Sequence, residues 1–203
     1  ARWGLGAANY GNDKAIFGYG TTGSNSSLTN LVSSSGVVAT DTTGVGTARG
    51  YVAGVSYGGD KALFAYGYTG SNVSMSNLIS NLGVVSADVT GVGTARGYLA
   101  AASYDTDKAI FGYGYNGSAN LSMSNLVSNN GIVASDVSGV GTARRQLGAA
   151  GYGGDKAIFA YGKAGAFTSI KNLVNSSGVI AADVTGVGTA REAIAAAGYS
   201  ISA

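Results

Sequence analysis

Gly91-Val92-Gly93-Thr94-Ala95-Arg96 decides how this chain is read, because the same six residues end at Arg49, Arg144 and Arg191 as well. The arginines are spaced 47, 48 and 47 residues apart, and Arg2 lies 47 residues before Arg49. A fixed period of this length marks a chain built from one supersecondary unit, copied in tandem. Four units follow: 2–48, 49–95, 96–143 and 144–190, with 191–203 opening a further one.

Working outward from Arg96, each unit runs in one order. A small apolar stretch comes first: Leu5 to Tyr10, Val52 to Tyr57, Leu99 to Tyr104 and Leu147 to Tyr152. A turn follows, ending in Asp13-Lys14, Asp60-Lys61, Asp107-Lys108 and Asp155-Lys156. A second apolar stretch is typified by Ala62 to Gly67, and a polar loop by Thr69 to Asn72. Third and fourth stretches, Ser74 to Ile79 and Val84 to Val89, complete the unit. Short runs rich in Val, Ile, Phe and Tyr, bounded by Gly, Asn, Asp and Ser, predict strands and turns. The extra residue of the third unit falls within Asn116 to Leu121, on a loop, where insertions are tolerated. No segment keeps a helical apolar stripe; only Glu192 to Ala197 has helix propensity.

The second stretch alternates as Ala15, Phe17, Tyr19 against Ile16, Gly18, so neither of its faces is polar. A sheet greasy on both sides needs cover on both sides, and with no helices the cover has to be other copies of the sheet. The expected fold is all-β: a β-propeller of about four four-stranded antiparallel blades, with the Ala/Gly-rich first strand innermost. Five blades, or a linear β-solenoid, are the competing architectures.

The units resemble kelch-type blades in having Arg96 before a first strand and an aromatic–glycine stretch, Phe111-Gly112-Tyr113-Gly114, closing the second. They depart from that pattern where Tyr-Gly replaces a glycine pair. They depart again where Val37, Val84, Ile132 and Val179 stand in the region that would hold a Trp. The near-identical units are also similar to repeats of viral or microbial surface proteins, and to five-bladed lectins with 47-residue repeats. The resemblance implies a propeller and leaves the function open among enzymes, adaptors and lectins.

Composition narrows the function. Charged residues are 11% of the 203, the net charge is +2, and no Lys/Arg cluster exists, which argues against a nucleic-acid partner. His and Cys are absent, removing the commonest general base, thiolate sites and disulfides. No apolar run is long enough for a membrane span. Neither a cofactor nor a metal site is expected. The chain opens on Ala1 rather than Met, which suits a processing cut, and its polar uncharged composition suits an extracellular, cell-surface or virion-surface protein.

Of the 22 charged residues, 17 sit at repeat positions: eight in the Asp-Lys turns, Asp41, Asp88, Asp136 and Asp183 at strand ends, and five arginines, among them Arg49, Arg96, Arg144 and Arg191. Duty in every unit predicts a structural role, with Asp88 pairing to Arg96 or to a neighbouring unit's Arg. A ring of the four carboxylates holding a hard cation is the competing reading. Tyr19, Tyr66, Tyr113 and Tyr161 are candidates for a sugar-stacking or assembly face, or for packing between units. Finally, Ile194, Ala195, Ala196, Ala197, Gly198 and Tyr199 repeat the first strand without its companions. A spare strand seeks an edge. It could take the place of Leu5 to Tyr10, start a fifth blade, or pair with another copy of the chain. The expected function is therefore a non-enzymatic structural or adhesive module that self-associates, into a filament or oligomer; a glycan-binding lectin is the alternative.

Overall fold

The computed structural model describes residues 1–198. Tyr199, the last residue of the expected assembly strand, lies outside the described residues. Within them the chain is all-β, with no helix, and Glu192 to Ala197 forms bends and irregular backbone. Four antiparallel three-stranded sheets follow one another. Unit 1 holds β1 (Gly6–Tyr10), β2 (Lys14–Gly18) and β3 (Thr29–Val32), and unit 2 holds β4 (Ala53–Tyr57), β5 (Lys61–Ala65) and β6 (Ser76–Ile79). Unit 3 holds β7 (Ala100–Tyr104), β8 (Lys108–Gly112) and β9 (Ser124–Val127). Unit 4 holds β10 (Gly148–Tyr152), β11 (Lys156–Ala160) and β14 (Lys171–Val174), with a small hairpin, β12 (Lys163–Ala164) and β13 (Ala166–Phe167), in its polar loop.

The first hairpin of every unit closes where a Tyr faces a Lys, as Tyr57 faces Lys61, around a turn whose Gly58 and Gly59 have φ of +61° and +80°. The second strand ends one residue before a Tyr at φ near +64°, as at Tyr66, which turns the chain out of the sheet. The loop insertion shows as a longer reach between bridged residues: Tyr68 bridges Asn72, but Tyr115 bridges Asn120.

The expected fourth strand is the main correction to the unit. Val84 to Val89 is pinned to β6 by two isolated bridges, Ile79 with Val85 and Ser76 with Val89. Three steps along β6 oppose four along the outer segment, so one residue bulges and the ladder breaks. The bulge is held by Asn77, whose Nδ2 donates to Ser86 O at 3.0 Å. Each sheet is therefore three-stranded with a bulged outer strap.

Each hydrophobic core lies between two units. One joins Tyr10, Ile16 and Tyr19 to Val52, Phe64 and Ile79; the second joins units 2 and 3; the third joins units 3 and 4. Ala62, Leu63, Phe64 and Ala65 are all fully buried, so β5 is covered on both faces, as a strand without a polar face requires. First strands pack on one another, β1 on β4, β4 on β7 and β7 on β10. Hydrogen bonds such as the backbone Gly58 N to Asp107 O (2.6 Å) and the side-chain Ser103 Oγ to Ser56 O (2.9 Å) tie consecutive units together. Among the described residues β10 does not pack on β1 as neighbouring first strands pack on one another. Even so, a cleft of about 490 Å³ is lined by Ala7, Gly54, Ala101, Ala149, Ala196 and Gly198, one inner segment after another.

Candidate functional site

The chemistry-bearing side chains converge at the junctions between units, and the junction between units 2 and 3 shows the plan. The linker Gly91 to Arg96 delivers Arg96 into a fully buried slot. Its guanidinium carbon lies 4.3 Å from the centroid of the Tyr66 ring of unit 2. Nε donates to Tyr113 O (2.9 Å), Nη1 to Thr94 O (3.0 Å) and Nη2 to Asn125 Oδ1 (2.6 Å). Asn125 in turn donates through Nδ2 to Ala134 O (2.9 Å) and Asp136 Oδ1 (3.0 Å). Asp136 also accepts from the Thr94 amide (2.9 Å to Oδ2) and hydroxyl (2.7 Å) and lies 3.8 Å from Arg96 Nη1. A buried cation is tolerable only when its donors are satisfied, and here carbonyls, an amide and a carboxylate do so.

Beside the arginine, Tyr66 meets Phe111 edge-on, with centroids 5.3 Å apart, and donates its hydroxyl to Val92 O at 3.3 Å. Burial pushes the Tyr66 hydroxyl up to about 12 although Arg96 pulls the other way, and burial likewise lowers Arg96. For Asp136, partial burial alone would raise the carboxyl. The bonds from Thr94 and Asn125 and the Arg96 charge outweigh it, and the group sits below its ordinary value. Gly93, at φ +75°, closes the cluster: a Cβ there would come within 2.4 Å of Asp136 Oδ1.

The same set recurs as Arg49 with Tyr19, Asn77, Thr47 and Asp88, and as Arg144 with Tyr113, Asn172, Thr142 and Asp183. The pairing direction is now specific. Asp88 pairs with Arg49 and Asp136 with Arg96, the Arg at the start of its own unit, rather than Asp88 with Arg96. Because each carboxylate serves a different junction, the ring of carboxylates does not exist: among the described residues no three His, Cys, Asp or Glu side chains cluster. Tyr19, Tyr66 and Tyr113 are fully buried and used in packing, so no ligand reaches their faces; Tyr161 is half-buried. The buried asparagines, the linker threonines and the Phe series escaped the sequence reading, although Asn30, Asn77, Asn125 and Asn172 recur at the repeat period.

Both ends of the stack carry half a junction. At the head, Phe17 is 37% exposed, where Phe64, Phe111 and Phe159 are at 0%. Asp41 keeps its Asn30 bond (2.9 Å), lies 4.0 Å from Arg2, and has a side chain 61% exposed. At the tail, Arg191 covers Tyr161 at 4.3 Å, but its outer side is in solvent. Ile194 to Gly198 lies against β10 in the place a next first strand would take: a Cβ on Gly148 would meet Ile194 and Ala196, and one on Gly198 would meet Gly151 O. Among the described residues no strand pairs with it there.

A second concavity, of about 460 Å³, lies along one edge of the first strands, between Trp3, Tyr51, Tyr98, Gln146 and Leu147. Trp3 meets Tyr51 edge-on at 5.3 Å, and Tyr51 lies 3.9 Å from Tyr98. Tyr51, Tyr98 and Gln146 all hold φ of +55° to +57°, at the position that unit 1 fills with Gly4. Burial, and then the neighbouring Tyr51, push the Tyr98 hydroxyl above its ordinary range.

No protein-family model and no curated protein matches this chain, so what it does has to be read from the geometry of its junctions and its two open ends.

Proposed function

We propose that this chain is a non-enzymatic structural or adhesive module, displayed outside the cell or on a virion surface, whose propeller-like blades self-associate. One observation carries the reading: the outer faces of units 1 and 4 expose the residue types that bury one another at the three junctions between units. Leaving Phe17, Val187 and the outer side of Arg191 in water forfeits burial that every internal copy gains. The scarcity of charge fits a surface that meets other copies of itself. Light scattering after size-exclusion chromatography tests it. The full chain is expected to form oligomers whose mass rises with concentration, and deletion of residues 192–203 to leave a monomer. A full chain that stays monomeric at millimolar concentration sinks the proposal.

The glycan-binding alternative has one observation of its own, the Trp3–Tyr51–Tyr98 cleft. Aromatic rings held at a backbone setting that disfavours side chains, at about 1 kcal/mol each, suit an apolar platform for a sugar ring. Trp3 is the sole Trp and is 57% exposed, so its fluorescence reports directly on occupancy. Quenching or a blue shift on titration with oligosaccharides, lost in Tyr51→Ala, is the expected result; no change across a broad sugar panel removes this reading.

A further inference from the structure

We infer that the tail of one copy receives the head of a second copy, rebuilding across two chains the junction found inside one. The inference rests on the self-association reading and names its surfaces. The tail presents an empty socket of about 430 Å³ lined by Gly148, Ile158, Ala160, Tyr161, Arg191 and Ile194. The positions one unit earlier in each internal junction grip a phenylalanine. Phe64 lies against Gly6 and Gly18 and edge-on to Tyr19 at 5.4 Å; Phe159 lies against Gly112 and edge-on to Tyr113 at 5.3 Å. Gly148, Ala160 and Tyr161 are the unit 4 counterparts of Gly6, Gly18 and Tyr19, and the phenylalanine that fits is the unit 1 counterpart, Phe17. Ile158 shows the same vacancy: Ile16, Leu63 and Ile110 are fully buried at this position, and Ile158 is not.

The polar half matches as well. Asp88, Asp136 and Asp183 each accept from a linker threonine of the preceding unit, Thr47, Thr94 and Thr142. Asp41 is the unit 1 counterpart of these carboxylates and here accepts from Asn30, and Thr189 is the counterpart of the three threonines. In the same register Arg191 would sit on its own Tyr161 and donate to Asn30 of the second copy, as Arg49 does to Asn77. Within one chain, head and tail residues line common clefts along the first strands, Trp3 with Ile194 in one and Phe17 with Ala196 in another, while the tail socket itself is lined by unit 4 and tail residues.

At such a junction Arg2 to Tyr10 of one copy and Arg191 to Gly198 of the other claim one place. The tail segment takes the first-strand place because the linker that delivers Thr189 to Asp41 runs on into it. The displaced head strand is replaced by a segment of the same spacing, Ile194 to Gly198 repeating Leu5 to Asn9. Repeated at each end, the contact is head-to-tail and generates either a ring or a fibre.

The chain has no cysteine, so single thiols report cleanly. Phe17→Cys and Ala160→Cys chains of different mass are mixed and treated with a bis-maleimide about 8 Å long. The expected product is a covalent dimer holding one of each chain, with neither variant cross-linking to itself. Asp41→Arg, which sets a charge against Arg191 at an exposed position, is expected to weaken assembly at least about tenfold. Oligomers that form with no cross-link and ignore Asp41→Arg overturn this interface but leave self-association standing. A double-cysteine chain that cross-links within a monomer overturns it in favour of closure in cis. Absence of any oligomer overturns both.

Discussion

The junction around Arg96 and the outer face of unit 1 are made from nearly the same residues, yet one is dry and the other wet. Phe111, Tyr66 and Arg96 are fully buried. Their counterpart Phe17 is exposed. The contrast shows that a unit has no core of its own. Its side chains become core only when a neighbour arrives, which is the energetic logic of a repeat array.

Substitutions that pair an internal site with its terminal copy sharpen this comparison. The largest difference is expected for phenylalanine. Phe111→Ala should cost about 3–5 kcal/mol by emptying a closed junction, and Phe17→Ala only about 1 kcal/mol in the monomer, read as shifts of the urea midpoint. Equal losses would mean that unit 1 is covered in solution by something other than the solvent. Next comes arginine. Arg96→Met strands Asn125 Oδ1 and two carbonyls and removes a desolvated cation–π contact, costing about 3 kcal/mol. Arg191→Met, at an exposed site, is expected to stay below about 1 kcal/mol.

Acid should loosen the internal junctions first. Asp88, Asp136 and Asp183 are held below the ordinary carboxyl value in the folded chain. Their contribution is therefore complete above the unfolded value of about 4 and is lost as pH falls through the lower, folded one. Stability measured from pH 6 downward should drop below about pH 4, and Asp136→Asn should flatten that drop. A profile unchanged by the substitution would show that the Thr94 bonds hold no charge-dependent energy.

The smallest difference is expected at two equivalent turn glycines. A Cβ on Gly131 would press to 2.7 Å on Tyr57 and 2.9 Å on Leu78, whereas one on Gly36 meets nothing within 4 Å. Both hold φ of +79°. Gly36→Ala should cost only the backbone term of about 1 kcal/mol, and Gly131→Ala about 1 kcal/mol more, seen as a lower thermal midpoint.

Repetition made much of this legible. The period, the first three strands of every unit, the hairpin turns and the place of the extra residue could all be read from spacing and turn residues. The structural duty of Asp88, Asp136 and the arginines followed from their recurrence, and the partners did not. Asp88 could be set against Arg96 because the two are close in sequence, but the bulge that shortens the outer strap turns Asp88 back toward Arg49. The same bulge reduced four expected strands to three. The recurrence of Tyr66 admits packing between units, which its burial bears out, but the arginine its ring meets lies in the next unit and could not be read from spacing.

By itself, then, the sequence determined the composition of the sheets and their need for neighbours, because alternation without a polar face and a fixed period are properties of the chain. The tertiary structure decided which faces meet, which arginine clasps which carboxylate, and that Phe17 and Tyr161 are left less buried than their counterparts. Those outcomes depend on how one unit is set on the next. Identical repeats carry no mark of which copy stands first or last in space until they are stacked.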